Sequence, residues 1–466
     1  MKAVLKFSSF FCIAFVLVLA FGFEKSSAAS NYLPFNSWKS EFIQTVEGVT
    51  YTIHLEKDGV VTLEMKNSQD AKWDMVLSNK NNKELLGITS TTYLLSGKTT
   101  KREVGLPKGD YIVQVKGNWG NFDSIASLFR VNVQYRTDYE KEDNTLLQSA
   151  TPISLNKTYY GNINDNNDRD SFKFKLAADS RIKLNLSNYK NVIWEAVIYD
   201  ANEREYQRLK SIDSPSGQVS AEVGLSKGTY YVVIRQQDSY KYDNERYHFE
   251  VYTNTKQNVE QESNDTMGSA TKIGLGTSYE GIISSTSDYD FYRVEIPTNN
   301  IYTSFSISNR ISSQWVGDIY NEVGGLIKSS LYTNSRKNGY TTYNTYLPKG
   351  SYYIRVSSNN MNTVNKKYTV KVLTKTVSKP IKSKNVTVKN PKGAKDTVTV
   401  KSVSKNDMIR VYDNKGKLLK KATANRESIT ITKLNLGSKA GVIQVSIERP
   451  GQIESNKTKI KFSKEK

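Results

Sequence analysis

Three tryptophans set the frame of this chain. Trp73, Trp194 and Trp315 stand 121 residues apart, and a fixed period in sequence marks an architecture built by repetition. After each tryptophan, alternate positions are small or apolar: Met75 and Leu77, Ala196 and Ile198, Gly317 and Ile319. A second landmark, Leu-x-Lys-Gly-x-Tyr, runs from Leu106 to Tyr111, Leu225 to Tyr230 and Leu347 to Tyr352. Each copy leads into alternating sequence (Tyr111, Val113, Val115; Tyr230, Val232, Ile234; Tyr352, Ile354, Val356), the period-2 pattern of a strand with one buried face. The Lys-Gly pair predicts a turn in which glycine takes a positive φ. Apolar strand neighbours on the same inward face put the tryptophans in cores. A carbohydrate-stacking platform is the alternative use of such a repeat.

Most other segments are short alternating strands punctuated by Asn, Asp, Gly and Ser, and no window of a dozen residues keeps a helical period. Short strands with regular turn signals indicate antiparallel sandwiches. The 30 tyrosines beside 16 Phe and 5 Trp suit half-buried β-faces. A repeat of this length exceeds a solenoid unit and can bury its own core. The expectation is an all-β chain of three tandem antiparallel β-sandwich, jelly-roll-like domains at 30–136, 137–255 and 256–374, then a smaller β domain at 375–466.

The first 29 residues read as an address. Met1, Lys2 and Lys6 give a basic start, Phe7 to Phe23 an apolar run, and Ser27-Ala28-Ala29 a small-residue cleavage site before Ser30. These are the three parts of a secretory signal peptide. A membrane anchor is the alternative, and the short apolar core speaks against it. Cys12 lies inside the run and does not look like an acylation site, so the exported chain would carry no cysteine. Zinc sites of Cys and His, cysteine nucleophiles and disulfide frameworks are thereby excluded. No later segment reaches about 18 uninterrupted apolar residues, the length of a membrane span. The end from Lys461 to Lys466 shows neither an apolar tail nor a covalent sorting signal. Release, or non-covalent retention outside the cell, is expected.

Copies two and three share an acidic pattern that copy one lacks. It runs Glu140, Glu142, Asn144, Ala150, Gly161, Asp168, Asp170, Phe172, and 120 residues later Glu260, Glu262, Asn264, Ala270, Gly281, Asp288, Asp290, Tyr292. Calcium takes six to eight hard oxygen ligands, and a linker with two Glu and one Asn, meeting a strand entrance with two Asp, gathers about that many. A solvated acidic linker beside a polar loop is the plainer alternative. In copy one Glu47 and Val49 stand at the Asp positions and no Glu-x-Glu-x-Asn precedes them, so no calcium is predicted there.

With these residues in view, copies two and three resemble the bacterial pre-peptidase C-terminal (PPC) domain, a β-sandwich appended to many secreted proteases. The resemblance rests on the Glu-x-Glu-x-Asn start, on Asp-x-Asp-x-Phe or Tyr, and on the closing strands Gly228 to Ile234 and Gly350 to Val356. The collagen-binding domains of clostridial collagenases are similar and bind calcium through this linker and Asp motif. The resemblance therefore implies metal roles for Glu140, Glu142, Asn144, Asp168 and Asp170, and for Glu260, Glu262, Asn264, Asp265, Asp288 and Asp290. It also implies a collagen-like protein among the ligands, without placing a contact surface.

The last segment carries the charge. From Lys375 to Lys466 there are 23 Lys and Arg against seven Asp and Glu, a net of +16 out of +20 for the whole chain. A basic domain outside a cell attracts polyanions: anionic cell-wall polymer, lipid headgroups, acidic extracellular polysaccharide or extracellular DNA, the last bound without sequence preference and with strong salt dependence. A surface adapted only to solubility is the alternative. The segment Asp396 to Val400, Val411-Tyr412-Asp413 with Gly416-Lys417-Leu418, and Glu454-Ser455 resemble the small Ig-like modules of Gram-positive secreted proteins, which implies a C-terminal Ig-like β-sandwich.

Catalysis finds little support. His54, between Ile53 and Leu55, and His248, between Tyr247 and Phe249, sit on the polar parity of strands in different repeats, with no Gly-x-Ser-x-Gly in the chain. That argues against a histidine-based triad. Paired carboxylates serve glycosidases, but the pairs here are better explained as metal ligands. The expected function is a secreted, non-catalytic binding or adhesion-type protein of a Gram-positive bacterium, stiffened by calcium in domains two and three and retained at the cell wall or matrix by its basic tail. The rival is a secreted accessory or inhibitor protein docking onto an exoenzyme, and a hydrolase ranks third.

Overall fold

A computed structural model describes residues 31–91, 97–165, 167–237, 244–254, 258–359 and 363–465. The basic start, the apolar run with Cys12 and the Ser27-Ala28-Ala29 site lie outside them. The described chain is all-β, with pairings almost entirely antiparallel and helical geometry confined to 3-10 turns. It divides into two compact units that meet in sequence between Asp143 and Asn144. No helix among the described residues is long and apolar enough to cross a membrane.

The first unit is a sandwich of two four-stranded sheets. One contains Lys39–Glu41, Ser127–Tyr135, Gly59–Lys66 and Thr99–Leu106 in that order, the other Val49–Leu55, Gly109–Gly120, Ala71–Asn79 and Glu84–Thr89. The second unit repeats the plan twice. Its first sandwich pairs the sheet Thr158–Asn162, Arg246–Asn254, Ser180–Ser187, Gln218–Leu225 with the sheet Glu205–Lys210, Trp194–Asp200, Gly228–Gln236, Asp170–Leu176, Thr151–Pro152. The next pairs Ser278–Ile282, Lys367–Lys375, Ile301–Asn309, Gly339–Leu347 with Thr271–Ile273, Tyr289–Ile296, Gly350–Ser358, Trp315–Asn321, Leu326–Tyr332. The short first strands Thr151–Pro152 and Thr271–Ile273 pair parallel to their neighbours. Each sandwich has its own core.

Both landmarks of the repeat lie in one sheet of each sandwich, on adjacent strands. Trp194 registers with Gln236 and Trp315 with Ser358. The three tryptophans are fully buried, which places them in cores as their neighbours' alternation predicts. The main-chain N–H of each receives the same support: Ser90 Oγ at 2.9 Å, Ser211 Oγ at 2.9 Å and Thr333 Oγ1 at 2.8 Å.

The Lys-Gly turn is also built alike in all copies. The lysine N–H donates to Asp58, Asp179 or Asn299 across the sandwich at 2.8 to 2.9 Å. The tyrosine hydroxyl donates to the carbonyl four residues back: Tyr111 to Pro107 at 2.6 Å, Tyr230 to Ser226 at 3.0 Å, Tyr352 to Pro348 at 3.0 Å. The predicted positive φ holds at Gly109 (+153°) and Gly350 (+156°) but not at Gly228. These side-chain bonds fix the turn in every copy, so it does not depend on one glycine conformation.

After Lys375 the chain forms two small sheets, Val386–Lys389, Asp396–Lys401, Ser428–Leu434 and Leu418–Thr423, Met408–Tyr412, Gly441–Glu448, Thr458–Phe462. They close on a separate aliphatic core that includes Val398, Val400, Ile409, Val411, Val445 and Ile447.

Candidate metal centre

The linker into the third sandwich runs between two strands and bonds to both. Glu260 N–H donates to Glu280 O at 3.0 Å, and Glu262 N–H donates to Gly224 O at 2.9 Å. Residues 260 and 262 are two apart in extended chain, so their side chains share a face. Two glycines make the approach fit. A Cβ on Gly224 would stand 2.0 Å from Glu260 O, and one on Gly281 would meet Tyr292 Oη at 2.3 Å and Glu260 Oε2 at 2.5 Å.

Glu260, Glu262 and Asp290 each bring one carboxylate oxygen within 4.8 Å of the others. Glu260 and Asp290 are wholly buried. Glu260 Oε1 accepts from Ile282 N–H at 2.6 Å and Oε2 from Tyr292 Oη at 3.1 Å. Tyr368 Oη donates to Asp290 Oδ2 and lies 2.7 Å from Tyr292 Oη. Burial pushes Glu260 up to about 7, with the charge of Asp288 adding to it and that of Arg181 opposing it. Burial, then the charges of Glu260 and Asp288, hold Glu262 well above the ordinary carboxylate range, and the same causes raise Asp290. Arg181, itself buried, reaches across from the second sandwich, donating to Glu280 O at 3.0 Å and standing 3.4 Å from Glu280 Oε1 and 3.7 Å from Glu222 Oε2.

Three clustered carboxylates, Glu260 and Asp290 buried and Glu262 half-buried, need a cation or protons, because an unpaired buried charge is strongly disfavoured. The donors are all oxygen. Ligands that each stand 2.3–2.6 Å from one calcium lie at most about 5 Å apart, and the three oxygens all lie within 4.8 Å of one another. The residues fit a calcium ion.

Other residues of the third-copy motif make hydrogen bonds of their own. Asp288, nearly buried, accepts from Ser284 N–H at 2.5 Å and Ser284 Oγ at 2.8 Å. Asn264 is buried; its Nδ2 donates to Thr271 Oγ1 at 3.3 Å, and its carbonyl accepts from Phe291 N–H at 2.9 Å. Asp265 is exposed and accepts from Tyr289 N–H at 3.4 Å.

The equivalent motif one copy earlier straddles the unit boundary in sequence. Glu140 and Glu142 belong to the first unit, where Glu140 is buried and Glu142 N–H donates to Gly105 O at 2.9 Å. Asn144, Asp168 and Asp170 belong to the second. Asn144 O accepts from Ser171 N–H at 3.1 Å, Asp170 is buried and accepts from Tyr247 Oη at 2.5 Å, and Asp168 accepts from Asn164 N–H at 2.6 Å. Burial first, and the charge of Asp170 next, push Asp168 up to about 8. Copy one keeps a tyrosine–carboxylate bond, Tyr51 Oη to Glu41 Oε2 at 2.9 Å, with Glu47 exposed.

Sequence reasoning missed Gly105 and Gly224, whose missing side chains admit Glu140 O and Glu260 O. The signal was present: copies one and two read Gly-Leu-x-Lys-Gly-x-Tyr, and copy three, which no such motif follows, has Tyr346 before Leu347. His54 stands at the surface with Nδ1 2.6 Å from Asp110 Oδ1. His248 is half-buried, which lowers its pKa.

No protein-family model matches the chain, and no curated protein does. Among solved structures, the chain is similar to the pre-peptidase C-terminal domain of a collagenase from Bacillus anthracis, at 20% identity over 22% of this chain and 93% of that one, with a TM-score of 0.18. It is similar to the BSP domain of a biofilm-associated protein at 11% identity, over 93% and 98% of the two chains, with a TM-score of 0.15. The adhesin domain of Epf from Streptococcus pyogenes matches at 14% identity over 40% of this chain and 75% of that one, with a TM-score of 0.15.

Proposed function

We propose that this chain is a secreted, non-catalytic binding protein, retained at anionic cell-envelope or matrix polymers by its C-terminal module. In this reading calcium is held by Glu260, Glu262 and Asp290 ahead of the third sandwich, where it supplies charge neutralisation and no reaction. By equivalence of sequence, Glu140, Glu142 and Asp170 carry the same motif one copy earlier.

The observation that carries the reading is where the charge sits. Sixteen of the twenty net positive charges belong to residues 375–466, and lysines such as Lys379, Lys401, Lys433 and Lys459 are exposed there. Of the seven carboxylates, two are buried and two more are neutralised within the module. Asp396 and Asp407 are buried acceptors for Leu436 and Ser404 N–H, and Glu448 and Glu454 pair with Arg410. The outer surface is therefore more basic than the composition alone indicates, which is the electrostatic footprint of a polyanion binder.

Co-sedimentation with purified Gram-positive cell walls across a salt series tests this, beside a truncation ending at Lys375, the last residue of its strand. Salt-sensitive binding that disappears with the tail supports the reading. No binding by either form sinks wall retention and moves a soluble partner, such as an exoenzyme, ahead.

A further inference from the structure

The second sandwich leaves open a place that the third fills with its own side chains. Across the outer face of the third, Phe291 registers with Arg355 and Arg355 with Asp318. Phe291 lies 6.3 Å from the Tyr320 ring, and the Arg355 guanidinium, 2.5 Å from Asp318 Oδ2, stands over Tyr289 at 5.2 Å and Tyr320 at 5.9 Å. In the second sandwich the same row is Ser171, Val233 and Val197. Tyr199 keeps the place of Tyr320, Arg169 takes that of Tyr289, and the Ser171 hydroxyl turns to Thr145 O at 3.3 Å. What is left is a cavity of ≈ 310 Å³ lined by Val197, Tyr199 and Val233, with Leu147 beside them and Arg169 and Arg235 among its walls.

We propose that this cavity binds a partner polypeptide through an aromatic side chain next to an acidic residue. The ring is the group the cavity lacks, since one Phe in the sister sandwich occupies the same row. An apolar floor and an adjacent tyrosine suit an aromatic ring, which buries about 150–250 Å² and prefers edge or offset contact with another ring. The volume is at the small end for ligand sites, sized for a side chain. The acidic neighbour follows from the charges, two arginines against the single carboxylate of Glu203 in the lining. Arg235 is paired with the buried Glu195, whereas Arg169 is exposed and has no ion-pair partner among the described residues. A guanidinium in that position suits a carboxylate.

The test is a saturation-transfer NMR titration of the full chain, in calcium, with N-acetyl-phenylalanyl-glutamate amide and its neutral glutamine counterpart. Saturable binding in the millimolar range is expected, several-fold tighter for the glutamate probe, with that preference removed by Arg169→Ala. Ser171→Phe, which installs the residue the third sandwich carries, is expected to weaken both probes at least tenfold. Val233→Phe fills the same space from the neighbouring strand and decides the matter if Ser171→Phe fails to fold. No saturable signal, equal affinity for the two probes, or unchanged binding in a folded filled variant overturns the proposal. The cavity shares no residue with Glu260, Glu262 or Asp290, so its failure leaves the calcium reading standing.

Discussion

A carboxylate shut away from water needs a proton or a cation, and Glu260 is in that position. Its folded pKa of about 7 exceeds the ordinary 4.5, so between those values the folded chain binds more protons than the unfolded one. Stability then falls as pH rises through that window, at up to about 1.4 kcal/mol per pH unit for each such carboxylate. Asp168, at about 8, extends the trend upward. In chelator, the calorimetric melting temperature is expected to drop between pH 5 and pH 8. Calcium at a hundred times its Kd should restore about 2.7 kcal/mol at the upper end, a rise on the order of 5–10 °C. Identical melting curves in calcium and chelator at pH 8 would count against a bound ion. Gly281→Ala tests the tightness of the same site. Its Cβ would meet Tyr292, Tyr368 and Glu260 within 2.5 Å, and overpacking of this kind costs about 1–3 kcal/mol, readable as a lowered urea midpoint. At this scale the motif was legible as spacing, but not which members converge. Asp288 and Asn264 bond to Ser284 and Thr271, and neither partner belongs to the repeated pattern.

Elements were more legible than residues, because each strand records its buried face as alternation. Trp194 through Asp200 and Gly228 through Gln236 each turn inward the residues that their landmark predicts, while their pairing with one another was not legible in the sequence. The contacts that close the turns escaped the reading, since they join residues far apart in sequence, such as Asp179 with Lys227. The tyrosine of the landmark turns out to brace its own turn through its hydroxyl. Tyr230→Phe keeps the ring and removes the bond to Ser226 O, so a loss of about 0.5–1.5 kcal/mol is expected by denaturant unfolding, and no loss would make the bond incidental. Gly224 works at the same scale. Alanine there would press on Glu260 O at 2.0 Å and push the linker off its strand. Calorimetric titration of Gly224→Ala should show calcium affinity weakened at least tenfold, while Gly276→Ala, with nothing within 4 Å of the added carbon, reports only the strain of its positive φ.

On the scale of the whole molecule the two proposed activities rest on different residues and on different physics. Wall retention would draw on exposed lysines of residues 375–466, a screened attraction that weakens steeply with ionic strength. Calcium would be held by the buried carboxylates of Glu260 and Asp290 with the half-buried Glu262, which bulk salt reaches poorly. These opposite sensitivities give a paired prediction. Raising sodium chloride from 50 to 500 mM should release the protein from cell walls and leave its calcium-dependent melting shift largely intact. Adding chelator should lower the melting temperature and leave wall binding intact. If chelator released the protein as readily as salt, calcium would itself bridge chain and wall, and the lysine-rich module would not be the element that holds it there.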